Sequence, residues 1–390
     1  MCHLNRILKL CFKIFIVYLF FYFLNFSLFA SSVNKQFIDV NVPAAVVMDF
    51  ESGRILYDKN GDEKRPMASL TKIMTSIMLV ENCDLDEMIE VPAKATWIGG
   101  STVGLKKGDM VSARSLLYGM LLPSGNDCAY TVAIHIGGTI ENFANMMTEK
   151  AIKIGAKDTS FANPHGLDNE NHYTTAKSLA IITRYALNNK YINEVVNTKS
   201  ATINFGSFSK LLTNTNALLK TYEKADGVKT GFTNGANRCL VASATDDNRR
   251  FIAVVLGADT TNIRFLAAKE LLEKSFERYK LMDISDYLKH YINIPVIKGN
   301  ISNYERTFLD NLSIPLTSEE YEDIYVKQDI IEKIDAPMNA GTKLGNIKVM
   351  LEDEILYEKD IYLDENIKKK DMLDYIKEGI KNIFKPLPII

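Results

Sequence analysis

The fold of this 390-residue chain is narrowed first by the order in which its apolar strands and helices follow one another. Ala44–Asp49 and Arg54–Tyr57 predict two strands joined by a tight Ser-Gly turn. Helical patterns fill most of the following stretch, and two buried strands, Cys239–Ala244 and Phe251–Gly257, precede a last helix, Asn262–Tyr279. This order predicts an α+β fold with an antiparallel sheet, and not the βαβ alternation of a nucleotide-binding fold.

The helices between the two pairs of strands are predicted where apolar spacing and capping residues agree. Ser112 and either Thr174 or Thr175 carry side chains of the type that caps helix N-termini. The predicted helices are Met67–Val80, Ala113–Leu121, Asp127–His135, Glu141–Ile154 and one from Thr174 or Thr175 to about Asn188.

After about Leu281 the sequence pattern changes to short alternating segments separated by Gly, Pro and Asn, which predicts a second, small, all-β domain. We therefore expect domains at 33–281 and 282–366. The predicted strands of the second domain are Tyr291–Ile297, Tyr321–Lys327, Lys348–Leu351 and Ile355–Leu363.

The N-terminus has the three parts of a secretory signal peptide. Arg6, Lys9 and Lys13 precede the apolar run Ile14–Leu24, and the small residues Ala30–Ser32 follow. A retained signal anchor is the alternative, since the apolar stretch is at the lower limit for spanning a bilayer. We expect residues 1–32 to be cleaved and the remainder to be exported in either case.

Composition excludes several classes of protein. The formal net charge of −2 argues against a nucleic-acid-binding polycation. Cys83, Cys128 and Cys239 remain outside the signal segment, an odd number that gives no disulfide framework. CxxC and HExxH motifs are missing, and so are the glycine-rich nucleotide-binding motifs, so we expect no protein metal site and no cofactor.

Ser69-Leu70-Thr71-Lys72 opens a predicted helix and places a hydroxyl and an amine on one helical face. A desolvated lysine with a lowered pKa can activate a serine nucleophile in place of histidine. The helix N-terminus adds positive potential where an oxyanion would form. Alone this Ser-x-x-Lys pattern is weak evidence for catalysis, because a helix-capping serine followed by a solvated lysine has the same sequence.

Two more triplets lie at junctions between elements, Ser124-Gly125-Asn126 in a turn between helices and Lys229-Thr230-Gly231 before a strand. With the Ser69 motif they match, in chain order, the S-x-x-K, S-[DG]-N and K-T-G set of active-serine penicillin-recognising enzymes. The chain resembles the low-molecular-mass penicillin-binding proteins, the serine-type D-alanyl-D-alanine carboxypeptidases. Further similar stretches extend over most of the chain: Phe161–Leu167, His172–Ala176, Asp226–Thr233, Ala336-Pro337 and Gly341–Gly345.

This resemblance implies a penicillin-binding, β-lactamase-like transpeptidase domain, with an antiparallel sheet and a helical subdomain, followed by the small β domain. It also implies the catalytic roles. Ser69 would attack the carbonyl of the penultimate D-alanine and become acylated. Lys72 would be the general base, Ser124 would relay a proton to the departing amine, and Lys229 would supply positive charge.

The resemblance further implies the groups that bind the substrate. Asn126 would hold a side amide of the substrate, and Thr230 would bind the terminal carboxylate. The backbone N–H groups of Ser69 and of Phe232, which follows Gly231, would form the oxyanion hole. Arg250 is a candidate second partner of the carboxylate, with a solvated turn arginine as the alternative. Phe232 stands where some family members have His.

Other polar residues are better explained by structure. His165 and His172 lie in sequence that is typical of loops, and we expect them to form hydrogen bonds within those loops. His135 is expected to be packed or half-exposed, and Cys128, close to Asn126, to be a small buried residue.

The last segment, 367–390, predicts a basic amphipathic helix lying on an anionic membrane surface. Packing of this helix on the β domain is the alternative. Its apolar stripe is formed by Leu373, Ile376, Ile380, Ile383 and Phe384.

Together these residues imply a D-alanyl-D-alanine carboxypeptidase that trims peptidoglycan stem peptides through a Ser69 acyl-enzyme. β-Lactam antibiotics would be its covalent inhibitors, and it would work at the outer face of the bacterial cytoplasmic membrane or in the cell wall. A class A β-lactamase is disfavoured, since the window after Asn126 lacks the expected Glu. A non-catalytic penicillin-binding sensor, a wall-binding protein, and an endopeptidase or transpeptidase using the same residues remain alternatives.

Overall fold

The structure is a computed structural model that describes residues 38–308 and 310–376. The predicted signal peptide lies outside the described residues. In the first part of the chain the strands are β1 (Ala44–Asp49), β2 (Ile55–Lys59), β3 (Met88–Glu90), β4 (Met110–Ser112), β5 (Ser200–Asn204), β6 (Ser209–Thr213), β7 (Ala225–Thr233), β8 (Asn237–Asp246) and β9 (Arg249–Ala258).

The helices of this part begin with a single 3₁₀ turn, Ala68–Thr71, and include a second 3₁₀ helix, Ala93–Trp97. The α-helices are α1 (Lys72–Asn82), α2 (Ala113–Leu121), α3 (Asn126–Gly137), α4 (Ile140–Lys153), α5 (Ala176–Leu187), α6 (Lys190–Asn197), α7 (Leu218–Thr221) and α8 (Thr261–Arg278).

The central element is a five-stranded antiparallel sheet in the order β2-β1-β9-β8-β7. Every residue of Phe251–Ala258 in β9 is buried, so helices must cover both faces of the sheet. Helix α8 packs on β8 and β9, and α5 packs on β9 and β1. The predicted α+β architecture with an antiparallel sheet is confirmed.

Most of the predicted helices and strands are present. Several strands are longer than predicted, and the starts of two helices are now defined more closely. The side chain of Ser112 accepts a hydrogen bond from the Ser115 N–H, as a cap should. Thr175, rather than Thr174, caps α5 by accepting from the Ser178 N–H. The predicted helix Met67–Val80 instead divides into the 3₁₀ turn and α1, because Ala68 has a φ of +48° that an α-helix cannot contain.

The rest of the chain forms small sheets, with the strands β10 (Lys280–Asp283), β11 (His290–Ile297), β12 (Asn303–Phe308), β13 (Ser313–Leu316), β14 (Ile324–Ile330), β15 (Ile334–Asp335), β16 (Lys343–Leu351) and β17 (Glu354–Tyr362). A 3₁₀ helix, Ser285–Leu288, and α9 (Ser318–Asp323) complete it. Alternation is clear in β11, where Ile292, Ile294 and Val296 are buried and their neighbours are exposed or partly exposed.

The predicted strand Tyr321–Lys327 is wrong in its first half. Thr317 and Glu320 form a reciprocal capping box that starts α9, and the strand begins only at Ile324. The expected boundary at 281 falls inside β10, which pairs with β13, so the division of the chain at 281 stays a prediction.

The C-terminal segment is described only to Ile376. Residues 367–370 are not helical, because Ile367 and Lys369 form β-bridges with Met338 and Gly299. Residues 372–376 are helical, and Met372 is 81% exposed. The remainder of the predicted amphipathic helix lies outside the described residues. Among the helices of residues 38–308 and 310–376, none is both long and apolar enough to cross a membrane.

Candidate active site

Ser69 occupies a strained turn immediately before α1. Ala68 has a positive φ, and its carbonyl accepts a hydrogen bond of 2.7 Å from Thr71 Oγ1. The ring of His172 lies on the other side of Thr71, with Nε2 2.7 Å from Oγ1. Since His172 Nδ1 accepts from the Ala162 N–H, the ring proton is on Nε2 and points at Thr71. A chain of hydrogen bonds thus fixes the peptide that carries the serine.

Lys72 is fully buried beside this serine. Its Nζ lies 2.9 Å from Ser69 Oγ, 2.7 Å from Asn126 Oδ1 and 2.8 Å from the carbonyl oxygen of His165. Burial, reinforced by the neighbouring charge of Lys229, holds the pKa of Lys72 well below its usual value. A neutral amine has two hydrogens and one lone pair. The two oxygens that can only accept take the hydrogens, which leaves the lone pair for the Ser69 hydroxyl.

Ser124 lies in the turn before α3, with a φ of +70°. Its hydroxyl oxygen is buried, and among the described residues it has no hydrogen-bond partner. A buried hydroxyl without a partner costs free energy unless a substrate or water satisfies it. This is what a proton relay requires before its substrate arrives.

Asn126 is held by the loop that follows the 3₁₀ helix ending at Trp97. Its Nδ2 donates to the Gly99 carbonyl, and its backbone N–H donates to the Ser101 carbonyl. The next residue, Asp127, accepts hydrogen bonds from three backbone N–H groups of the same loop, those of Val103, Gly104 and Leu105, and from the N–H of Cys128 in α3. Sequence reasoning missed Asp127, although an acidic residue in the first turn of a helix was available as a signal.

Lys229 and Thr230 lie on the edge strand β7. Lys229 is buried and its Nζ donates to the Thr230 carbonyl at 3.0 Å. Burial, and then the charge of Arg264, lower the pKa of Lys229 to about 7. The Thr230 hydroxyl pairs with the Thr215 hydroxyl at 2.7 Å. Thr215 is a second residue that the sequence did not indicate, since a lone threonine after a short hairpin carries no motif.

Gly231 places β7 directly against the serine turn. A Cβ at this position would lie 3.1 Å from the Met67 carbonyl oxygen and 3.3 Å from the Ser69 nitrogen. These contacts are tighter than ordinary Cβ contacts, so a side chain here would push the serine turn away. The backbone of Gly231 therefore borders the Ser69 N–H, and Phe232 follows it with a side chain that is 52% exposed and stacks under Arg238.

Arg250 does not belong to this site, which corrects the prediction. It lies on β9, two strands away from β7, and opposite Thr245 rather than the residues that pair with Thr230. Its guanidinium pairs with Asp226 at 3.0 Å and donates to Asn193 Oδ1. Arg250 thus meets β7 only at Asp226, near the start of the strand, whereas Arg264 on α8 donates to the carbonyl of Gly231 in the Lys229 triplet at 3.1 Å. A helical arginine 33 residues beyond Gly231 offered no local signal.

His165 and His172 make hydrogen bonds within their loops and Cys128 is a small buried residue, as predicted. Burial lowers the pKa of His165 to about 3 and that of His172 to about 4, so both rings are neutral at physiological pH. His165 contributes its backbone carbonyl to Lys72, and not its ring. Cys128 is fully buried, and burial raises the pKa of its thiol well above the usual value. His135 is partly exposed.

A family model described as D-alanyl-D-alanine carboxypeptidase matches residues 30–260. The chain belongs to the D-alanyl-D-alanine carboxypeptidase family. A second model, described as the C-terminal domain of penicillin-binding protein 5, matches residues 276–369 of this carboxypeptidase family member. The predicted family and the predicted succession of a penicillin-binding domain and an all-β domain are both confirmed.

Individual members of the carboxypeptidase family are similar along most of their length. D-alanyl-D-alanine carboxypeptidase DacF of Bacillus subtilis is 32% identical over 361 residues, which cover 90% of this chain and 92% of the relative. Penicillin binding protein 5 from Haemophilus influenzae superposes with a TM-score of 0.74 at 27% identity, covering 85% and 99% of the two chains. DacD from Francisella tularensis has a TM-score of 0.66 at 29% identity, covering 85% and 95%.

Proposed function

We propose that this carboxypeptidase removes the terminal D-alanine of peptidoglycan stem peptides through an acyl-enzyme on Ser69. The observation that carries the proposal is the 2.9 Å contact between Ser69 Oγ and the fully buried Nζ of Lys72. A lysine with a lowered pKa can accept the serine proton near neutral pH, which a solvated lysine cannot do.

The reaction begins when Ser69 Oγ attacks the carbonyl carbon of the penultimate D-alanine while its proton passes to Lys72. Negative charge then develops on the carbonyl oxygen, where the N–H groups of Ser69 and Phe232 can stabilise it. The bond to the terminal D-alanine breaks, and Ser124 passes a proton from Lys72 to the departing amine. Water hydrolyses the remaining ester and restores Ser69.

The substrate is oriented by the groups around these atoms. Lys229 and the Thr230 hydroxyl bind the terminal carboxylate, which neutralises a charge that would otherwise be buried without a partner. Asn126 presents its amide to the peptide of the stem. A penicillin carries a comparable carboxylate on the ring fused to its β-lactam, and the strained β-lactam carbonyl is reactive, so it acylates the same serine and is released slowly.

The function is tested by incubating the purified protein with a peptide ending in D-Ala-D-Ala and measuring free D-alanine. We expect release from the wild-type protein, and both release and labelling of the protein by fluorescent penicillin to be abolished by Ser69→Ala. Ser101→Ala, which changes another serine near the site, is the matched control and should retain both. Penicillin labelling without D-alanine release would instead support a sensor.

We also propose that the protein acts outside the cytoplasm, at the outer face of the cytoplasmic membrane or in the cell wall. The proposal rests on the signal-like segment 1–32, on the apolar stripe and the lysines of segment 367–390, and on the peptidoglycan substrate. Truncation after Asp371 should move the enzyme from the membrane fraction to the soluble fraction while D-alanine release per molecule is unchanged. If the truncated protein still sediments with membranes, either the C-terminal helix is not the anchor or the N-terminal segment is retained.

A further inference from the structure

The far ends of two active-site helices meet at a cluster of three metal-binding side chains. Helix α1 starts at Lys72 and ends before Cys83, and helix α3 starts at Asn126 and carries His135 in its last turn. Glu87 lies between them, just before β3. One ligand atom from each of Cys83, Glu87 and His135 lies within 4.8 Å of the other two, and His135 Nε2 is 2.8 Å from Glu87 Oε1.

We propose that Cys83, Glu87 and His135 bind a Zn²⁺ ion, with the fourth coordination position left to water. Thiolate, imidazole and carboxylate together suit Zn²⁺, and they do not suit Mg²⁺ or Ca²⁺, which prefer oxygen ligands. Zinc bonds of about 2.0–2.3 Å in a tetrahedron place ligand atoms about 3.3–3.8 Å apart. The three ligand atoms lie within 4.8 Å of one another, and the 2.8 Å contact between His135 Nε2 and Glu87 Oε1 must open by about 0.5 Å for both atoms to bind the ion.

The backbone around the cluster is already fixed. The Glu87 carbonyl accepts from the Ala113 N–H at the start of α2, and the Cys83 N–H donates to the Leu79 carbonyl. The side chains of Glu87 and His135 are 39% and 34% exposed, so an ion can enter from solvent. A pre-positioned backbone with accessible ligand atoms lowers the entropic cost of coordination.

The surrounding charge favours a cation. The segment Glu81–Glu87 contains four acidic residues within seven positions, and Lys150 and Arg114 pair with only two of them, Glu81 and Asp86.

The ion would act at a distance from the reaction. At about 1.5 Å per helical residue, Cys83 lies roughly 16 Å along α1 from Lys72. The metal would join the C-terminal ends of α1 and α3, whose N-terminal ends carry Lys72 and Asn126. We therefore assign it a clamping role in which bound Zn²⁺ stabilises the helical subdomain without touching the substrate. No short motif predicts such a site, because Glu87 and His135 are 48 residues apart in the chain.

The proposal is tested with the full-length protein, stripped with a chelator and titrated with Co²⁺ as a spectroscopic substitute for Zn²⁺. We expect one equivalent of Co²⁺ to produce a thiolate-to-cobalt charge-transfer band. Zn²⁺ should displace Co²⁺ and raise the melting temperature by about 5 °C at a hundredfold excess over its Kd. Penicillin labelling of Ser69 should persist in the stripped protein.

Variants separate the site from adventitious binding. Cys83→Ser should abolish the charge-transfer band, and His135→Gln should weaken Co²⁺ binding at least about tenfold. His290→Gln, which changes a histidine of the C-terminal β region, is the matched control and should leave both unchanged. Circular dichroism of the stripped variants establishes that they are folded. A missing charge-transfer band in the wild-type protein, or an equal Co²⁺ affinity in Cys83→Ser, would overturn the proposal.

Discussion

Lys72 and Lys229 set the pH dependence of the proposed chemistry at the scale of single residues. Lys72 must be neutral to accept the proton of Ser69, so activity falls on the acid side as Lys72 becomes protonated. Lys229 must be charged to attract the substrate carboxylate, and in the free enzyme its pKa is about 7. The two requirements give a bell-shaped profile whose two limbs report different lysines.

We expect kcat/KM for D-alanine release to fall as the pH rises through about 7, because Lys229 of the free enzyme loses its proton there. A bound carboxylate favours the ammonium form, so the alkaline limb of kcat should lie at higher pH than that of kcat/KM. In Lys229→Arg, where the charge cannot titrate, the alkaline limb of kcat/KM should disappear. A kcat/KM that stays constant from pH 7 to about 9 in the wild-type enzyme would refute this assignment.

The residues of the site differ in how far sequence reveals them. Ser69, Lys72, Asn126 and the Lys229 triplet were indicated because their chemistry depends on short fixed spacings, which a linear pattern preserves. Asp127, Thr215 and Arg264 were missed because each acts through a tertiary contact with no local motif. Arg250 was misassigned for the same reason, since its place on β9 does not reveal that Asp226 on another strand neutralises it.

At the scale of elements, the position of the nucleophile depends on how the loop containing Gly166 meets the 3₁₀ turn. Gly166 has a φ of +90°, and a Cβ there would lie 1.9 Å from the Ala68 carbonyl oxygen. Gly104 has almost the same φ, +91°, yet a Cβ at Gly104 would meet nothing within 4 Å. The two glycines carry the same conformational demand and differ only in packing.

Alanine substitutions at Gly166 and Gly104 give a prediction with a matched control. Gly166→Ala and Gly104→Ala should share a backbone cost of about 1–2 kcal/mol. Gly166→Ala should lower the free energy of unfolding by roughly 3 kcal/mol more, since the loop must move away from Ala68. Urea denaturation measures the difference, and the rate of penicillin labelling should fall only in Gly166→Ala. Equal destabilisation by the two substitutions would mean that the close approach of Gly166 to Ala68 does not affect stability.

Elements with a buried apolar run or a recognisable cap were predicted well, and elements whose start depends on tertiary contacts or whose length is short were not. The bounds of β1 were predicted to the residue, and α2 likewise, because buried apolar runs and a serine cap define them. The start of α1 was misplaced because the strain at Ala68 is imposed by the Gly166 loop and by Thr71. The second half of α9 was predicted as a strand because the six residues of this helix are too few to show a helical period.

At the scale of the whole molecule, Arg54 joins the catalytic sheet to the C-terminal β region. Its guanidinium lies between Glu320 and Glu354, at 2.8 Å and 3.3 Å, and donates to the Pro315 carbonyl at 2.9 Å. The Arg54 side chain is only 7% exposed. A buried guanidinium that satisfies two carboxylates and a carbonyl fixes the two regions in one geometry.

Arg54→Met should therefore lower the free energy of unfolding by about 2 kcal/mol, because both carboxylates lose their partner at a partly buried interface. The exposed pair of Arg306 and Asp364 is the comparison, and Arg306→Met should change stability by no more than about 0.5 kcal/mol. Calorimetry on the intact chain measures both, and we expect the unfolding transition of Arg54→Met to be broader than that of the wild-type protein, or divided. An unchanged transition would show that other contacts hold the regions together.

The loop that holds Asn126 has one further consequence, which is optical. Trp97 is the only tryptophan among the 390 residues, and its side chain is 77% exposed just before the Gly99 carbonyl that orients Asn126. Indole emission from this protein therefore comes from one place, at the rim of the active site. The wild-type chain carries its own fluorophore in the loop that orients Asn126, so we expect a ligand that moves this loop to change the emission without a label.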